Sequence, residues 1–464
     1  MDRTRSADLR LKLLSHFSTG LFNALTLLLF LIAFSKIAAQ TANSANPPDE
    51  FKLSFTERIR IETWDNAVTL SNSAKAGTSY SRIRSSIMGQ WVPTQDMEIG
   101  VKLSNEFRNY FSPSTNPFHM NEIFFDQLYI KWKLTSLSGT LTLGRQNIML
   151  GEGFLVMDGS PLDGSRSIYF NAIRYDWNIN PKNTLTILGT YMPKTENILP
   201  VLNGNDIDAS YQGDGSYTMI EQSEVGSGLY YTGIFNQLNL QAYYLRKDYV
   251  KPDAKLLQVN SGINSIGSRA NYLFSPMLSG TAEGAYQFGR NGNSNHSSYG
   301  GYVYLDFSPK QESNFIPKTI TIGTIYLSGD DPKTTDNEGW DPIFSRWPKW
   351  SESYIYTQIK EFGGKVGMWS NLASLYATLK FNLDEQFNFS FDYHHLTAPQ
   401  AAPAGSFSGG TGSTRGDLFI AKLLFDVNKN VSGHILIEHF IPGNYYFNGA
   451  NSYNWGRIEF TFKL

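Results

Sequence analysis

Arg58, Arg60 and Glu62 occupy alternate positions of FKLSFTERIRIETW (Phe51 to Trp64), with Phe51, Leu53, Phe55, Ile59 and Ile61 at positions of the other parity. Successive side chains of an extended chain leave on opposite faces. The segment therefore presents guanidinium and carboxylate on one side and grease on the other. Arg82 and Arg84 repeat the pattern in SRIRSS, and Lys102 follows in phase with Glu98 and Glu106. Arg145 stands in Gly-Arg-Gln, and Arg174 lies two residues before Asp176. A ring of such cations around a narrow wet passage draws anions and, by offering several comparable sites, lets them move on. Arginine suits carboxylates in particular, because its planar fork grips both oxygens. The competing outcome is that the charges pair across the wall, with Glu62 or Glu106 bridging the arginines.

Only a sheet with one greasy and one wet face can position these residues. The chain has 464 residues, no cysteine, 26 Tyr, 31 Phe, 9 Trp and 40 Gly, with a formal net charge of -2. A high aromatic content with a mean hydropathy below zero suits strands that meet lipid on one face and water on the other. The absence of cysteine excludes a disulfide scaffold and thiolate metal sites. About eighteen segments of roughly ten residues alternate in this way between Phe51 and Leu464. Their connections alternate short and long. VPTQD at Val92, NQ at Asn236 and NKN at Asn428 are short; Asp65 to Ser79, Gly151 to Ser167, Pro193 to Gln222, Gly329 to Gly367 and Ala398 to Thr414 are long. The last segment, WGRIEFTFKL, puts Ile458, Phe460, Phe462 and Leu464 on one face and Arg457, Glu459, Thr461 and Lys463 on the other. Ile320 to Leu327 departs from the pattern, being apolar on both parities.

The expected fold is all-β: a transmembrane antiparallel up-and-down barrel of about 18 strands, with short periplasmic turns and long extracellular loops. Basic residues at Arg3, Arg5, Arg10 and Lys12 precede the apolar run Leu21 to Phe34 and the small residues that follow, the layout of a secretory signal peptide. The expected division is residues 1–40 as signal peptide, cleaved near Ala39 or Gln40, residues 41–50 as a short lead, and residues 51–464 as an outer-membrane barrel. Closing the sheet removes its edges, and eighteen strands enclose a potential aqueous lumen.

The near-neutral total hides a segregated charge. The basic inward positions lie mostly in the first six strands, whereas Pro193 to Glu224 holds six carboxylates against one lysine and Gly329 to Glu361 holds seven against four basic residues. Other chemistry is poorly supported. His394 and His395 adjoin Asp392, and His434 precedes Glu438 by four residues, without a nucleophile motif or HExxH spacing. GDDPKTTDNEG (Gly329 to Gly339) and DGSPLDG (Asp158 to Gly164) are rich in oxygen but lack EF-hand order. WPKW (Trp347 to Trp350) could stack on sugar rings or belong to an interfacial girdle.

LTLGRQNIMLGEGFLVMDGSPLDGSRSIYFNAIRYDW (Leu141 to Trp177) resembles the alginate-export family of outer-membrane barrels, with its strand ending in Gly-Arg-Gln, a loop, and a strand carrying an Arg-x-Asp element. YLSGDDPKTTDNEGWDPIFSRWPKW (Tyr326 to Trp350) resembles that family's long extracellular loop. The resemblance implies an 18-stranded monomeric barrel whose basic constriction exports an anionic polysaccharide. It carries over to Arg58, Arg60, Arg82, Arg145, and Arg174 with Asp176. Arg145 shares the parity of Leu141 and Leu143, so a bulge near Gly144 is required to turn it inward.

The expected pore-lining set is Arg58, Arg60, Glu62, Arg82, Arg84, Lys102, Arg145, Arg174 and Asp176. The expected activity is passive, anion-favouring passage of an acidic polysaccharide or related anionic solute. A plugged barrel binding surface glycans, an adhesion protein, or a general uptake porin are the alternatives. Outer-membrane lipid, a uronate-type solute and periplasmic secretion factors are the expected partners. No catalytic residue, metal, cofactor or nucleic acid enters this reading.

Overall fold

The computed structural model describes residues 50–114, 123–158, 169–201, 219–220, 222–252, 259–345, 349–354, 370–401 and 409–464. The expected signal peptide and cleavage site lie outside them, as do Trp347 and the stretch 159–168. Twenty-one strands follow in chain order: β1 (Glu50–Trp64), β2 (Thr78–Thr94), β3 (Met97–Ser112), β4 (Ile123–Leu134), β5 (Gly139–Gln146), β6 (Ile148–Met149), β7 (Val156–Asp158), β8 (Phe170–Asn180), β9 (Asn183–Met192), β10 (Ser223–Phe235), β11 (Leu238–Val250), β12 (Ser261–Ser275), β13 (Leu278–Asn291), β14 (Ser294–Phe307), β15 (Thr319–Leu327), β16 (Phe344–Ser345), β17 (Leu372–Asn382), β18 (Phe387–Thr397), β19 (Thr414–Asn428), β20 (Val431–Pro442) and β21 (Tyr453–Lys463).

All but β6, β7 and β16 form one 18-stranded sheet in the unit made of Phe51–Trp91 and Asp96–Leu464. Each strand pairs with its neighbour in the chain, and β1 pairs antiparallel with β21 over Thr56↔Lys463 to Trp64↔Trp455. The sheet is thereby closed, and every strand has two partners. Main-chain bonds between Phe55 and Leu464, both 2.9 Å, extend the seam.

Alternation decides which face meets what. Along β13, Thr281, Glu283, Ala285 and Gln287 are buried, while Ala282, Gly284, Tyr286 and Phe288 are exposed. Ile187, Leu229, Ile266, Val303, Leu375, Ile437 and Ile458 likewise point outward and are exposed, as lipid-facing positions must be. Two connections depart from the expected alternation of lengths. At the long-loop end, β13 and β14 are joined through 292–293, with Gly292 at φ 60° in the left-handed region that glycine enters freely. At the opposite end, β14 and β15 are joined by the longer segment 308–318.

The core lies inside the barrel. β6 pairs antiparallel with β7, and β7 pairs parallel with β16, so two long connections are zipped together. Phe154, Leu155, Val156, Trp340, Ile343 and Phe344 of these connections are buried with Leu188, Tyr230, Tyr243, Leu245, Ile263, Tyr302, Ile325 and Leu327 of the wall. Phe154 stacks on Trp340 with centroids 5.2 Å apart. This packing explains the apolar residues on both parities of β15. Ile322 and Tyr326 face outward, whereas Ile325 and Leu327 support the inward loops.

Candidate functional site

The wall formed by β21, β1, β2, β3 and β4 carries a ladder of charge. Arg82 Nε lies 2.8 Å from Glu106 Oε1, and its Nη1 lies 3.3 Å from Glu62 Oε1. Arg58 Nη2 reaches Glu106 Oε2 at 3.3 Å, and Arg84 Nη2 reaches Asp126 Oδ2 at 3.0 Å. Lys102 Nζ lies 2.8 Å from the same Asp126 oxygen. Arg60 pairs with Glu459, and Arg457 Nη2 lies 3.5 Å from Glu62 Oε2. Tyr80 donates its hydroxyl hydrogen to Glu62 at 3.0 Å. Six cations thus share four wall carboxylates, an excess of positive charge held in place by its own partners.

Strand geometry explains the assembly. In β1 and β2 the alternate positions fall on the inner face, and the closing register sets Arg60 opposite Glu459 and Glu62 opposite Arg457. The sequence reading included Arg457 and Glu459 only as polar positions of the last segment. Closure itself was the signal that could have found them, because the first and last strands of a closed sheet must be neighbours. Asp126 was missed for another reason. The β3–β4 register shifts between Lys102/Leu103, with Lys102 opposite Gln127 and Leu103 opposite Phe125. Asp126 is the extra residue of this bulge, and simple alternation does not mark it.

The remaining expected site residues occupy different surroundings. Arg174 Nε lies 2.9 Å from Asp176 Oδ2, and Thr186 donates to Asp176 at 2.5 Å, in β8 and β9 on the inner face. Arg145 is enclosed: it bonds Asn171 Oδ1 at 3.0 Å, Glu196 Oε1 at 2.9 Å and the Phe125 carbonyl oxygen at 2.9 Å, and lies 3.6 Å from the Tyr169 ring centroid. The expected bulge near Gly144 does not form. Both registers of β5 run through without a shift, and Gly144 takes φ 114° instead. Burial works to raise the Glu196 carboxyl, but hydrogen bonding and charge from Arg145 hold it below the ordinary carboxylate range.

Exposure separates the cations that meet lumen water from those that are sealed. The side chains of Arg60, Arg82, Arg84 and Arg457 are 2–4% exposed and that of Arg58 is 8%, against 16% for Lys102 and 27% for Arg174. The arginines of the ladder thus pair with carboxylates of the wall, as the competing outcome has it.

A strap formed by residues 349–354 crosses from the β12–β14 side to β20 and β21. At one end Lys349 pairs with Glu152, which also receives Arg269 and the Tyr304 hydroxyl. Lys349 Nζ lies 3.9 Å from the Tyr302 ring centroid. At the other end Ser351 donates to Glu438 Oε2 at 2.6 Å, Ser353 bonds the same oxygen, and Glu352 lies 2.6 Å from Arg457 Nη2. Burial works to raise the Glu152 carboxyl, yet the charge of Lys349 and hydrogen bonds from Lys349, Tyr304 and Arg269 outweigh it and bring the carboxyl down to about 2.

Several expected placements change accordingly. Part of the surplus acid of the long connections faces inward: Glu224 and Asp341 lie 3.7 and 3.4 Å from Lys247, and Glu352 meets Arg457. Trp350 belongs neither to a surface sugar platform nor to an interfacial girdle. It packs inside, edge-on to Tyr302 and Phe154. His394 is buried against Tyr376 with centroids 5.0 Å apart and bonds Ser374. His395, on the other face, lies 2.9 Å from Asp417. His296 joins Ser298 and Asn337 at 3.0 and 2.8 Å, with Ser298 fully buried. That group pins the long connection to β14.

No family model matches the chain, and no curated protein does. The fold is nevertheless similar to solved outer-membrane barrels of Pseudomonas aeruginosa. OccK11 (OpdR) aligns at TM-score 0.53 and 12% identity over 89% of this chain and 96% of its own. OpdK with vanillate aligns at 0.56 and 11%, over 89% and 98%. OccK2 (OpdF) in complex with glucuronate aligns at 0.55 and 12%, over 89% and 98%. The likeness is of the closed 18-stranded barrel, and it does not by itself show the alginate-export family that the motifs resemble.

Proposed function

We propose that the barrel is an outer-membrane channel favouring passive passage of small acidic solutes of uronate type, along the wall formed by β21 and β1–β4. The observation that carries this reading is the distribution of lumen contents. One wall holds a ladder of six cations against four wall carboxylates and Glu352 of the strap, while the main apolar cluster that the loops build lies against β8–β21 and, among the described residues, takes in none of β2–β4. An anion entering such a passage meets a positive field that the narrow, low-dielectric walls screen less than bulk water would. Lys102 on this wall and Arg174 on β8, the more exposed cations of the expected site, make direct contact, and the buried arginines supply the background potential.

The solutes held by two neighbours of like fold, glucuronate and vanillate, are both carboxylates, which supports the same class here. The strap argues for small solutes over a polymer, and a passive channel of this kind serves uptake as well as release. The Gly-Arg-Gln and long-loop motifs favour a second reading, export of an acidic polysaccharide. Both readings place the mature chain in the outer membrane after removal of residues 1–40.

Reversal potentials across planar bilayers under a salt gradient test the proposal. The wild-type channel is expected to favour anions, and Lys102→Gln combined with Arg174→Gln to move the reversal potential toward cation preference. Cation-selective conductance unchanged by those substitutions overturns it. Block by glucuronate supports the small-solute reading, and block by polyuronate alone supports the polymer. An electrically silent barrel that retains glycan binding identifies an adhesion protein.

A further inference from the structure

The outer face of β9–β14 changes character row by row near the long-loop end. One cross-strand row reads Ile187, Leu229, Tyr244, Ile266, Tyr286 and Tyr299, all exposed and largely apolar. The next row reads Gly189, Ser227, Arg246, Asn264, Phe288 and Ser297. The one above it reads Tyr191, Val225, Asp248, Gly262 and Arg290. Within two rows the surface thus passes from hydrocarbon-compatible side chains to charge, the profile expected where acyl chains give way to headgroups.

The charge in this sector is cationic. Arg246 turns up to Asp248, with contacts of 2.6 and 2.8 Å, and donates to Asn264 at 3.1 Å. Lys251, exposed just beyond β11, donates to the Tyr191 hydroxyl at 3.0 Å, so it leans along the outer surface. Arg290 is exposed on β13. Among the described residues of this sector, three cations therefore face one carboxylate. The corresponding boundary across the barrel, on β18–β21 and the end of β1, is different. It carries Asp417 with His395, and Asp65 bonded to Asn454, which also bonds His439. The described outward residues there include no exposed lysine or arginine.

We propose that Arg246, Lys251 and Arg290 form a binding site for a phosphorylated glycolipid headgroup of the outer leaflet, with Tyr244, Tyr286 and Phe288 packing along its acyl chains. Tyr286 and Phe288 stack with centroids 6.0 Å apart beneath Arg290, a rigid apolar floor for those chains. Phosphate oxygens suit the two exposed cations, and Arg246, already held by Asp248, stays oriented when lipid exchanges. The opposite boundary, with its carboxylates, repels the same headgroup. This inference requires only that the outer face meets lipid and is independent of the transported solute.

Native mass spectrometry of the full barrel in detergent, titrated with a bisphosphorylated diglucosamine lipid or its dephosphorylated counterpart of identical acyl chains, tests it. The wild-type barrel is expected to retain the phosphorylated lipid, and Lys251→Gln with Arg290→Gln to bind it roughly thirty-fold less tightly, at about 1 kcal/mol per cation near an anionic lipid surface. Asp417→Asn on the opposite sector leaves binding unchanged. Equal retention of the two lipids, or of the phosphorylated lipid by wild type and double variant, overturns the proposal. Wild-type bilayer conductance of the double variant certifies the fold and separates failure here from failure of the channel reading.

Discussion

Glu106 has three guanidinium neighbours, with Arg58 at 3.3 Å, Arg82 at 2.8 Å and Arg84 at 3.8 Å. Removing a carboxylate from such a cluster leaves buried charge without its counter-ion, so Glu106→Ala is expected to destabilise the barrel by about 3–5 kcal/mol. Denaturant unfolding of the barrel in vesicles measures the loss, and an unchanged midpoint would show that the ladder contributes no stability. Glu152 behaves differently because its carboxyl is already held at about 2. A lowered carboxylate contributes stability that is fully present above its ordinary pKa of about 4.3 and lost as pH falls through the lowered value. The Lys349 end of the strap is therefore expected to stay latched to Glu152 from neutral pH to about pH 4, as followed by single-channel recording. Glu152→Gln, which removes the charge at every pH, should raise conductance at pH 7 in the same recording. The pairing of Glu62 and Glu106 with the arginines was legible from parity alone. The enclosure of Arg145 was not, because Glu196 and Tyr169 reach it from segments whose course alternation does not predict.

Strands and loops differed in what the residue pattern revealed. The eighteen barrel strands follow from period-two alternation, since one face meets hydrocarbon along the whole circumference. The inward course of the long connections left a weaker mark: leucine and isoleucine on the inner parity of β9, β11, β12 and β15, where a water-filled lumen would call for polar side chains. Glycine supplies the matching cavities. A Cβ on Gly300 would lie 2.8 Å from the Trp340 ring, and one on Gly226 would lie 2.4 Å from Phe344 Cζ. Gly300→Val is thus expected to push Trp340 off the wall at a cost of roughly 1–3 kcal/mol, the usual range for overpacking. Single-channel recording should then show larger conductance with the barrel intact, as judged by its resistance to heat in gels. Conductance equal to wild type would mean that the Trp340 layer does not limit the passage.

At the scale of the molecule, two independent asymmetries are superimposed on one cylinder. Inside, cations concentrate on β21 and β1–β4; outside, they concentrate at the upper boundary of β11–β13. Net charge near zero conceals both, which is why composition indicated a membrane barrel and left its polarity to be found in the geometry. Both asymmetries lie on a sheet that one polypeptide closes.

The seam joining β1 to β21 brings Arg60 against Glu459, 399 residues apart in sequence. Contacts of such separation form late, because their loop must be ordered first. A ribosome delivers β1 long before its partner exists, so the growing chain carries an unmatched strand edge throughout translation. Such edges are templates for aggregation, and that hazard persists until the last strand arrives to close the sheet.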